Sequence, residues 1–153
     1  MGDIHQPLHA EAEVDSTYPS GDAGGNYEKV PSTNGVSNLH GVWDSVIYQY
    51  TGYPSMPLSN TDWNWYTSTA ATMYKDYPAS SSSIASEQFM TWATQSYNIA
   101  VNDAYPGFVA GQTPSTTYDN TAKPVLTKNM MLGAARLANL IENIYGSNSL
   151  FLQ

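Results

Sequence analysis

Histidine and aspartate residues that could bind a metal ion are concentrated near the start of this 153-residue chain. Asp3 precedes the histidines His9 and His40, and Asp44 follows them. Residues four apart on a helix share one face, so His40 and Asp44 can bind the same ion. Zinc takes histidine nitrogen and carboxylate oxygen as ligands, and three protein ligands with an open fourth position are typical of a catalytic site. His9 is the candidate for the third ligand, with water in the fourth position.

A second pair with the same spacing is His5 and His9, but Pro7 lies between them. Proline interrupts a helix because it lacks the N–H group and clashes with the preceding turn. We therefore expect Asp3 on the last turn of a helix, His9 just past its end, and His5 pointing elsewhere. Spacing alone leaves a plainer interpretation open, because most His-x-x-x-Asp pairs are solvated helix pairs or core hydrogen bonds. The grouping of all three histidines near one end of a weakly charged chain favours the metal site.

The composition restricts how the chain could bind a nucleic acid. Charged residues make up only 12% of the chain, its formal net charge is −8, and its pI is about 4.4. The sequence has no run of Lys or Arg that could follow a duplex backbone. Attraction to phosphate would therefore come from bound metal ions, which can be the largest local charges in a site. The lack of cysteine excludes disulfides and thiolate metal sites.

General features of the sequence indicate where the protein works. Low charge and many Tyr and Ser residues suit a secreted or extracellular protein, with a periplasmic or lysosomal-like location as the alternative. No apolar run is long enough to span a membrane, so no membrane partner is expected. Residues 1–5 lack the basic region and the apolar core of a signal peptide. We therefore expect the N-terminus to lie inside a longer protein.

Helices are expected to position these residues, which predicts an all-α fold. A long irregular loop or short hairpin is predicted at residues 10–36, where Gly24-Gly25-Asn26 has turn composition and residues 27–30 can form a strand. Hydrophobic spacing and end signals predict four helices. The first runs from about residue 37, with a helical period through Ile47, to a break at 52–57. The second runs from a cap at Ser59 to just before Pro78. The third follows a polar connector at 80–83 and runs from a first turn with Glu87 to about Tyr105, and the last covers roughly 117–145.

The pattern also predicts which side chains are buried. Trp43 is expected to pack in the core beside the metal site. An aromatic stripe at helical spacing is more often core than a base-stacking platform, and the sparse basic residues are expected to be structural. The stripe comprises Trp63, Trp65, Tyr66 and Tyr74, and the basic residues are Lys123, Lys128 and Arg136. The inner face of the last helix is predicted to carry Leu126, Met130, Gly133, Ala134, Leu137, Ile141 and Ile144.

Three strings of the sequence are together highly specific. They are GDIHQPLH at residues 2–9, GGN at 24–26 and NLHGVWD at 38–44. Their order and spacing resemble the zinc-dependent type I nucleases, which include fungal single-strand nucleases, plant bifunctional nucleases and trypanosomatid 3′-nucleotidase/nucleases. A bacterial zinc phospholipase C is a distant relative. WATQS at 92–96, with Gln95 in place of the usual Glu, and GAARLA at 133–138 extend the resemblance over essentially the whole chain.

The resemblance implies a mostly helical domain, similar to zinc phospholipase C, that holds three zinc ions at the bottom of a cleft. Carried over by motif, His9, His40 and Asp44 would bind the isolated third ion. Asp3 would bridge the close pair of ions, which makes it the catalytic residue expected in this chain. His5 matches a variable position that is not a ligand. The Gly-Gly-Asn turn would shape the loop over the site without touching metal.

The activity implied by the resemblance is zinc-dependent hydrolysis of phosphodiester bonds in single-stranded DNA or RNA. A hydroxide between the two close ions would attack phosphorus, and the third ion would stabilise the leaving 3′ oxygen. The products would be 5′-nucleotides, and 3′-nucleotidase activity is a further expectation. A narrow cleft and stacking of bases on aromatic side chains would favour single strands.

The other metal ligands of the family match positions upstream of Met1. They are an N-terminal Trp, three His residues and an Asp. We therefore expect residues 1–153 to be the C-terminal part of a single zinc nuclease domain, with one complete zinc site. Its expected partners are single-stranded nucleic acid or nucleotides and the N-terminal half of the same domain.

Two other functions stay open at this point. One is a phosphatase or phospholipase-like zinc hydrolase of the same superfamily. The other is a catalytically incomplete descendant that acts as a zinc-binding structural or filament-forming extracellular protein. The second fits a Tyr- and Ser-rich chain of low charge, because little charge opposes self-association.

Overall fold

A computed structural model describes residues 1–52, 54–85 and 88–146, and it confirms the mostly helical class. Two 3-10 turns, Asp3–His5 and Pro7–His9, begin the chain. A two-stranded hairpin follows, formed by β1 (Lys29–Thr33) and β2 (Val36–Asn38). The helices are α1 (Leu39–Asp44), α2 (Asn60–Asp76), α3 (Ser81–Ile84), α4 (Phe89–Ile99) and α5 (Thr116–Ile141). Short π-helical turns, Ala100–Ala104 and Glu142–Gly146, continue α4 and α5.

Pro7 divides the first nine residues into two 3-10 turns. Gln6 between them is extended, with φ −89° and ψ 114°, because a residue that precedes proline avoids the helical region. The predicted helix with Asp3 on its last turn is therefore wrong. Asp3 begins the first turn, and His9 ends the second. The prediction that His5 points away from His9 is confirmed, since His5 is buried at 3% exposure.

The hairpin lies at the end of the predicted irregular region and slightly beyond it. Its strands pair antiparallel and turn at Asn34 and Gly35, whose φ angles are 51° and 84°. Positive φ at both central residues is the geometry of the tight hairpin turn that Asn-Gly favours. The strand predicted at residues 27–30 is found two residues later, at Lys29–Thr33.

Helix α1 is shorter than predicted. Asn38 caps it, and its side-chain oxygen accepts a hydrogen bond from the Gly41 amide at 2.7 Å. The helix ends at Asp44, well before the predicted break at 52–57, and the next residues enter the left-handed region. The φ angles of Val46 and Ile47 are 52° and 54°, a conformation that β-branched residues rarely adopt. Their side chains are 5% and 2% exposed, so burial in the core offsets this strain.

The core joins α1 to α5 and to the end of α4. Trp43 is 1% exposed, which confirms its predicted core position. Its indole Nε1 donates to the Tyr118 hydroxyl at 2.7 Å, and that hydroxyl donates to the Ala104 carbonyl at 2.6 Å. These bonds satisfy two buried polar groups and fix the orientation of α1. The cluster around them contains Leu8, Val30, Leu39, Val42, Val46, Ile47, Ala100, Ala122 and Leu126.

Helix α2 has the predicted start but not the predicted burial. Ser59 caps it, with reciprocal bonds to Asp62, as the sequence predicts. The aromatic stripe, however, is not core, because Trp63, Trp65, Tyr66 and Tyr74 are 60%, 48%, 38% and 63% exposed. An amphipathic pattern predicts that an apolar face exists, but it does not show that this chain covers that face.

Two further segments depart from the prediction. Residues 81–84 form helix α3, capped by the Ser80 hydroxyl, where the sequence predicts a polar connector. The predicted place of Glu87 in the next helix lies outside the described residues. On α5, Leu126 and Gly133 of the predicted inner face are buried, whereas Leu137 and Ile141 are 42% and 47% exposed. Ile144, in the π-helical turn that follows α5, is 51% exposed.

Within the described ranges, no helix is both long enough and apolar enough to cross a membrane.

Candidate metal centre

His40 is held by the glycine turn that precedes the hairpin. Its Nδ1 lies 2.8 Å from the carbonyl oxygen of Gly24. A carbonyl oxygen only accepts, so Nδ1 carries the proton and Nε2 keeps a free lone pair. This arrangement is typical of metal-binding histidines, which donate the other ring N–H to a carbonyl or a carboxylate.

The turn itself depends on glycine and on a buried aspartate. Gly24 and Gly25 have φ angles of 63° and 79°, and a Cβ at Gly24 would collide with the Leu8 carbonyl oxygen. Asp22, which is fully buried, accepts hydrogen bonds from the Gly25 amide at 2.7 Å and from the Tyr105 hydroxyl at 3.0 Å. Burial and the nearby Asp22 raise the pKa of Tyr105, which keeps its hydroxyl a donor. Asp22 is not among the residues predicted from the sequence, where its place two residues before a Gly-Gly pair is the only local signal for this role.

His9 is held in the same way by an acid. Its Nδ1 lies 3.1 Å from Oδ1 of Asp3, so the carboxylate accepts the Nδ1 proton and Nε2 is free. His9 ends the second 3-10 turn, and its ring stacks on that of His40 with centroids 4.9 Å apart and planes at 17°.

The free nitrogens of the two rings and the Asp44 carboxylate converge on one point. The His9 and His40 Nε2 atoms are 3.1 Å apart, and they lie 3.9 Å and 3.5 Å from the nearest Asp44 oxygens. Zinc bonds of about 2.0–2.1 Å in tetrahedral geometry place ligand atoms roughly 3.4 Å apart. The Nε2 lone pairs of the two rings face each other beside the Asp44 carboxylate, and a cation bound between them would coordinate all three groups. His9, His40 and Asp44, here called the His–His–Asp cluster, therefore fit a zinc ion.

Gln6 supports the cluster from a position that the sequence analysis did not single out. Its side-chain oxygen accepts from the Leu8 amide, so its Nε2 must face the other way. That nitrogen donates to Oδ1 of Asp44 at 2.9 Å. One side chain thus caps the turn that carries His9 and orients the carboxylate of another candidate ligand.

Comparison with known proteins identifies the family of the chain. The family model described as S1/P1 nuclease matches residues 1–146.

The chain belongs to the S1/P1 nuclease family.

Similar curated proteins include Endonuclease 3, Endonuclease 2 and Endonuclease 1 of Arabidopsis thaliana. They are 30%, 29% and 27% identical to this chain, over 96%, 95% and 97% of it. The alignments cover 49%, 49% and 48% of those relatives. The chain therefore spans about half the length of the S1/P1 relatives that it matches.

Asp3, the remaining predicted site residue of this S1/P1 segment, and His5, which was predicted not to be a ligand, have different surroundings. Asp3 contacts His9, but its side chain is 91% exposed, and its bridging of two further ions stays a prediction. His5 faces the interior, where burial lowers the pKa of its imidazole. It lies apart from the His–His–Asp cluster, as the family resemblance implies for a residue that is not a ligand.

A cleft of about 490 Å³ opens beside the cluster. On one side it is lined by Asp3, Gln6, His9 and Asp44, and on the other by apolar residues of α5. A second acidic group, formed by Glu13, Asp22 and Glu28, lies at the glycine turn. The Asp22 oxygens are already bound to N–H and O–H donors, which gives that group a structural role in this fold.

Proposed function

We propose that this chain is the C-terminal part of a single zinc-dependent nuclease domain. The domain hydrolyses phosphodiester bonds of single-stranded DNA or RNA to 5′-nucleotides, and it also releases phosphate from 3′-nucleotides. We further propose that the protein acts outside the cell. The observation that carries the proposal is the convergence of the His9 and His40 Nε2 atoms on the Asp44 carboxylate.

Zinc would supply the positive charge that phosphate needs at this site, by polarising the phosphoryl oxygen and stabilising the charge of the leaving group. The chain itself has a formal net charge of −8, so bound metal is the attraction that its composition permits. The residues of the chain hold and orient the ligands. The Gly24 carbonyl fixes the His40 ring, the Asp3 carboxylate fixes the His9 ring, and Gln6 fixes Asp44.

The N-terminal half of the domain is the proposed partner of this chain. The chain spans about half the length of its relatives, and the three-ion site implied by the resemblance needs ligands that this sequence lacks. The apolar wall of the cleft on α5 supports this. Leu137, which lines the cleft, is 42% exposed, and Ile141, one turn further along the predicted inner face, is 47% exposed. An added helical layer on this wall would bury them and bring further ligands to the same cleft.

The first test is the zinc content of the chain by elemental analysis after dialysis. We expect one zinc ion per chain from the His–His–Asp cluster and three in the longer protein. His40→Ala and Asp44→Asn remove two of the ligands and should lose the ion. Asp76→Asn, an exposed aspartate at the end of α2, is the matched control and should keep it. A chain that retains no zinc, or that retains it in both ligand variants, contradicts the proposed site.

The second test measures the activity of the longer protein on separate substrates. We expect hydrolysis of single-stranded DNA and RNA and of a 3′-nucleotide, and weaker hydrolysis of duplex DNA. Loss of these activities in His40→Ala, with Asp76→Asn unchanged, would tie them to the cluster. Hydrolysis of a phospholipid or a simple phosphomonoester alone would favour the related zinc hydrolases instead.

A second candidate function is non-catalytic. The exposed aromatic side chains of α2, Trp63, Trp65 and Tyr74, favour a zinc-binding structural protein that self-associates. Sedimentation of the longer protein distinguishes the two candidates. Assembly that Trp63→Ser abolishes, together with no hydrolysis of any phosphodiester, would support the structural protein.

A further inference from the structure

Three buried polar side chains from α4 and α5 reach across to the first residues of the chain. They are Ser96, Asn129 and Arg136, which are 0%, 4% and 1% exposed, and we call them the bracket. We infer that the bracket positions residues 1–9, and with them Asp3 and His9, for zinc binding. The expected effect on zinc binding rests on the proposed function. The bracket contacts themselves do not involve the side chains of the candidate metal ligands.

The bracket binds backbone carbonyls that the 3-10 turn does not use. Within the turn, the His5 and Gln6 amides donate to the carbonyls of Gly2 and Asp3. The next two carbonyls receive bracket donors: the Ser96 hydroxyl donates to Ile4 at 2.6 Å, and Asn129 Nδ2 donates to His5 at 2.6 Å. A three-residue turn holds itself only weakly, so these bonds supply much of what fixes the segment.

Arg136 fixes the same segment through the side chain of His5. Its Nη1 donates to His5 Nε2 at 2.9 Å, so His5 carries its proton on Nδ1 and donates it to the Met1 carbonyl at 3.0 Å. Gln95 accepts a further hydrogen bond from Arg136 Nη2 at 2.9 Å, which orients the guanidinium. Gly133 leaves the space that the imidazole occupies, because a Cβ there would lie 2.8 Å from His5 Cγ.

The two faces of residues 1–9 therefore make different contacts. The inner face, with the Ile4 and His5 carbonyls, is bound by the bracket. The outer face carries Asp3 and His9, which contact each other at 3.1 Å beside the cleft. A metal site needs its ligands held within about 0.5 Å of the productive geometry. Since Pro7 prevents a regular helix here, packing against α4 and α5 must provide that precision.

The test compares Asn129→Ala and Ser96→Ala with the control Thr127→Ala. Thr127 is also a buried α5 residue, 5% exposed, but its hydroxyl donates to the Lys123 carbonyl within α5. The variants are compared in the zinc-free chain under conditions where their thermal stabilities are equal. There we expect the Gln6 and His9 amides to exchange hydrogen faster in the bracket variants than in Thr127→Ala. Zinc affinity should fall about 10-fold, the scale typical of residues that support metal ligands. The d–d absorption of bound Co²⁺ should change in the bracket variants only.

The outcomes separate this inference from the proposed function. Unchanged exchange at Gln6 and His9 in both bracket variants would overturn the positioning role. A wild-type chain that takes up neither zinc nor cobalt would overturn the proposed function and the expected effect of the bracket on zinc affinity. Hydrogen exchange in the zinc-free chain would still decide whether the bracket fixes residues 1–9. If Asn129→Ala does not fold, Ser96→Ala removes only a hydroxyl and gives the same comparison.

Discussion

Replacement of Gln6 by methionine tests how the His–His–Asp cluster is held. The substitution keeps the length of the side chain and removes its hydrogen bond to Asp44, which is 2.9 Å long. A hydrogen bond to a charged group contributes roughly 1.5–3 kcal/mol, and about 1.4 kcal/mol corresponds to a tenfold change in affinity. Because the Asp44 side chain is 51% exposed and water can replace the amide, we expect the lower end, about tenfold weaker zinc binding.

The assay is a zinc titration of the chain against a chromophoric chelator, and two further variants make it specific. Gln49→Met introduces the same change at an exposed glutamine whose Nε2 bonds to the neighbouring Tyr50, and it should bind zinc as the wild type does. Gln6→Glu keeps an oxygen for the Leu8 amide but has no donor for Asp44. Wild-type affinity in Gln6→Met would refute the role of Gln6, and wild-type affinity in Gln6→Glu alone would assign the effect to the Leu8 cap.

Two other predictions concern the glycine turn and its acidic neighbours. Gly24→Ala should destabilise the chain by roughly 1–3 kcal/mol, the scale of a strained backbone residue, because the turn has positive φ and the methyl would meet the Leu8 carbonyl. Urea unfolding measures this, and Gly35→Ala, with positive φ but open space around it, should cost less. Burial, and then the negative charge of Asp22, raise the pKa of the Glu28 carboxyl above its ordinary 4.5. The protonated form of Glu28 therefore stabilises the fold fully below pH 4.5, and this stabilisation is lost as the pH rises through the raised pKa. Glu28→Gln should remove this loss in thermal unfolding followed from pH 4 upward, and an unchanged pH profile would show that Glu28 is not the group responsible.

The candidate metal ligands could be singled out because their signal lies within short stretches of sequence. His40 and Asp44 are four residues apart, and Asn38 is a helix cap two residues before His40, so local rules place both ligands on one helix face. His9 follows a proline that stops the preceding turn. The resemblance to the family then assigned His9 to the same ion as His40 and Asp44. Helical periodicity cannot do this, because it relates only residues of one helix.

Predictions failed where a local pattern was compatible with more than one environment. Helix α1 carries apolar residues through Ile47, but the Ser45 hydroxyl bonds the Val42 carbonyl at 2.9 Å and accepts from the Tyr48 amide at 3.0 Å. These bonds compete with the helical ladder and end the helix early. The aromatic stripe of α2 likewise has the spacing of a core face, yet in the described structure it faces outward.

The chemical groups of the candidate site follow from the sequence alone: two imidazoles, a carboxylate and a glycine turn, in a chain with only 5 Lys and Arg residues. The folding of distant segments against one another sets which of their atoms face each other, as the Nε2 atoms of His9 and His40 do. The free lone pairs of His9 and His40 depend on the Asp3 carboxylate and the Gly24 carbonyl, and Asp44 is oriented by Gln6, which is 38 residues away in sequence. Sequence rules describe neighbours along the chain. A hydrogen bond that fixes a tautomer depends on contacts that exist only after distant segments pack together.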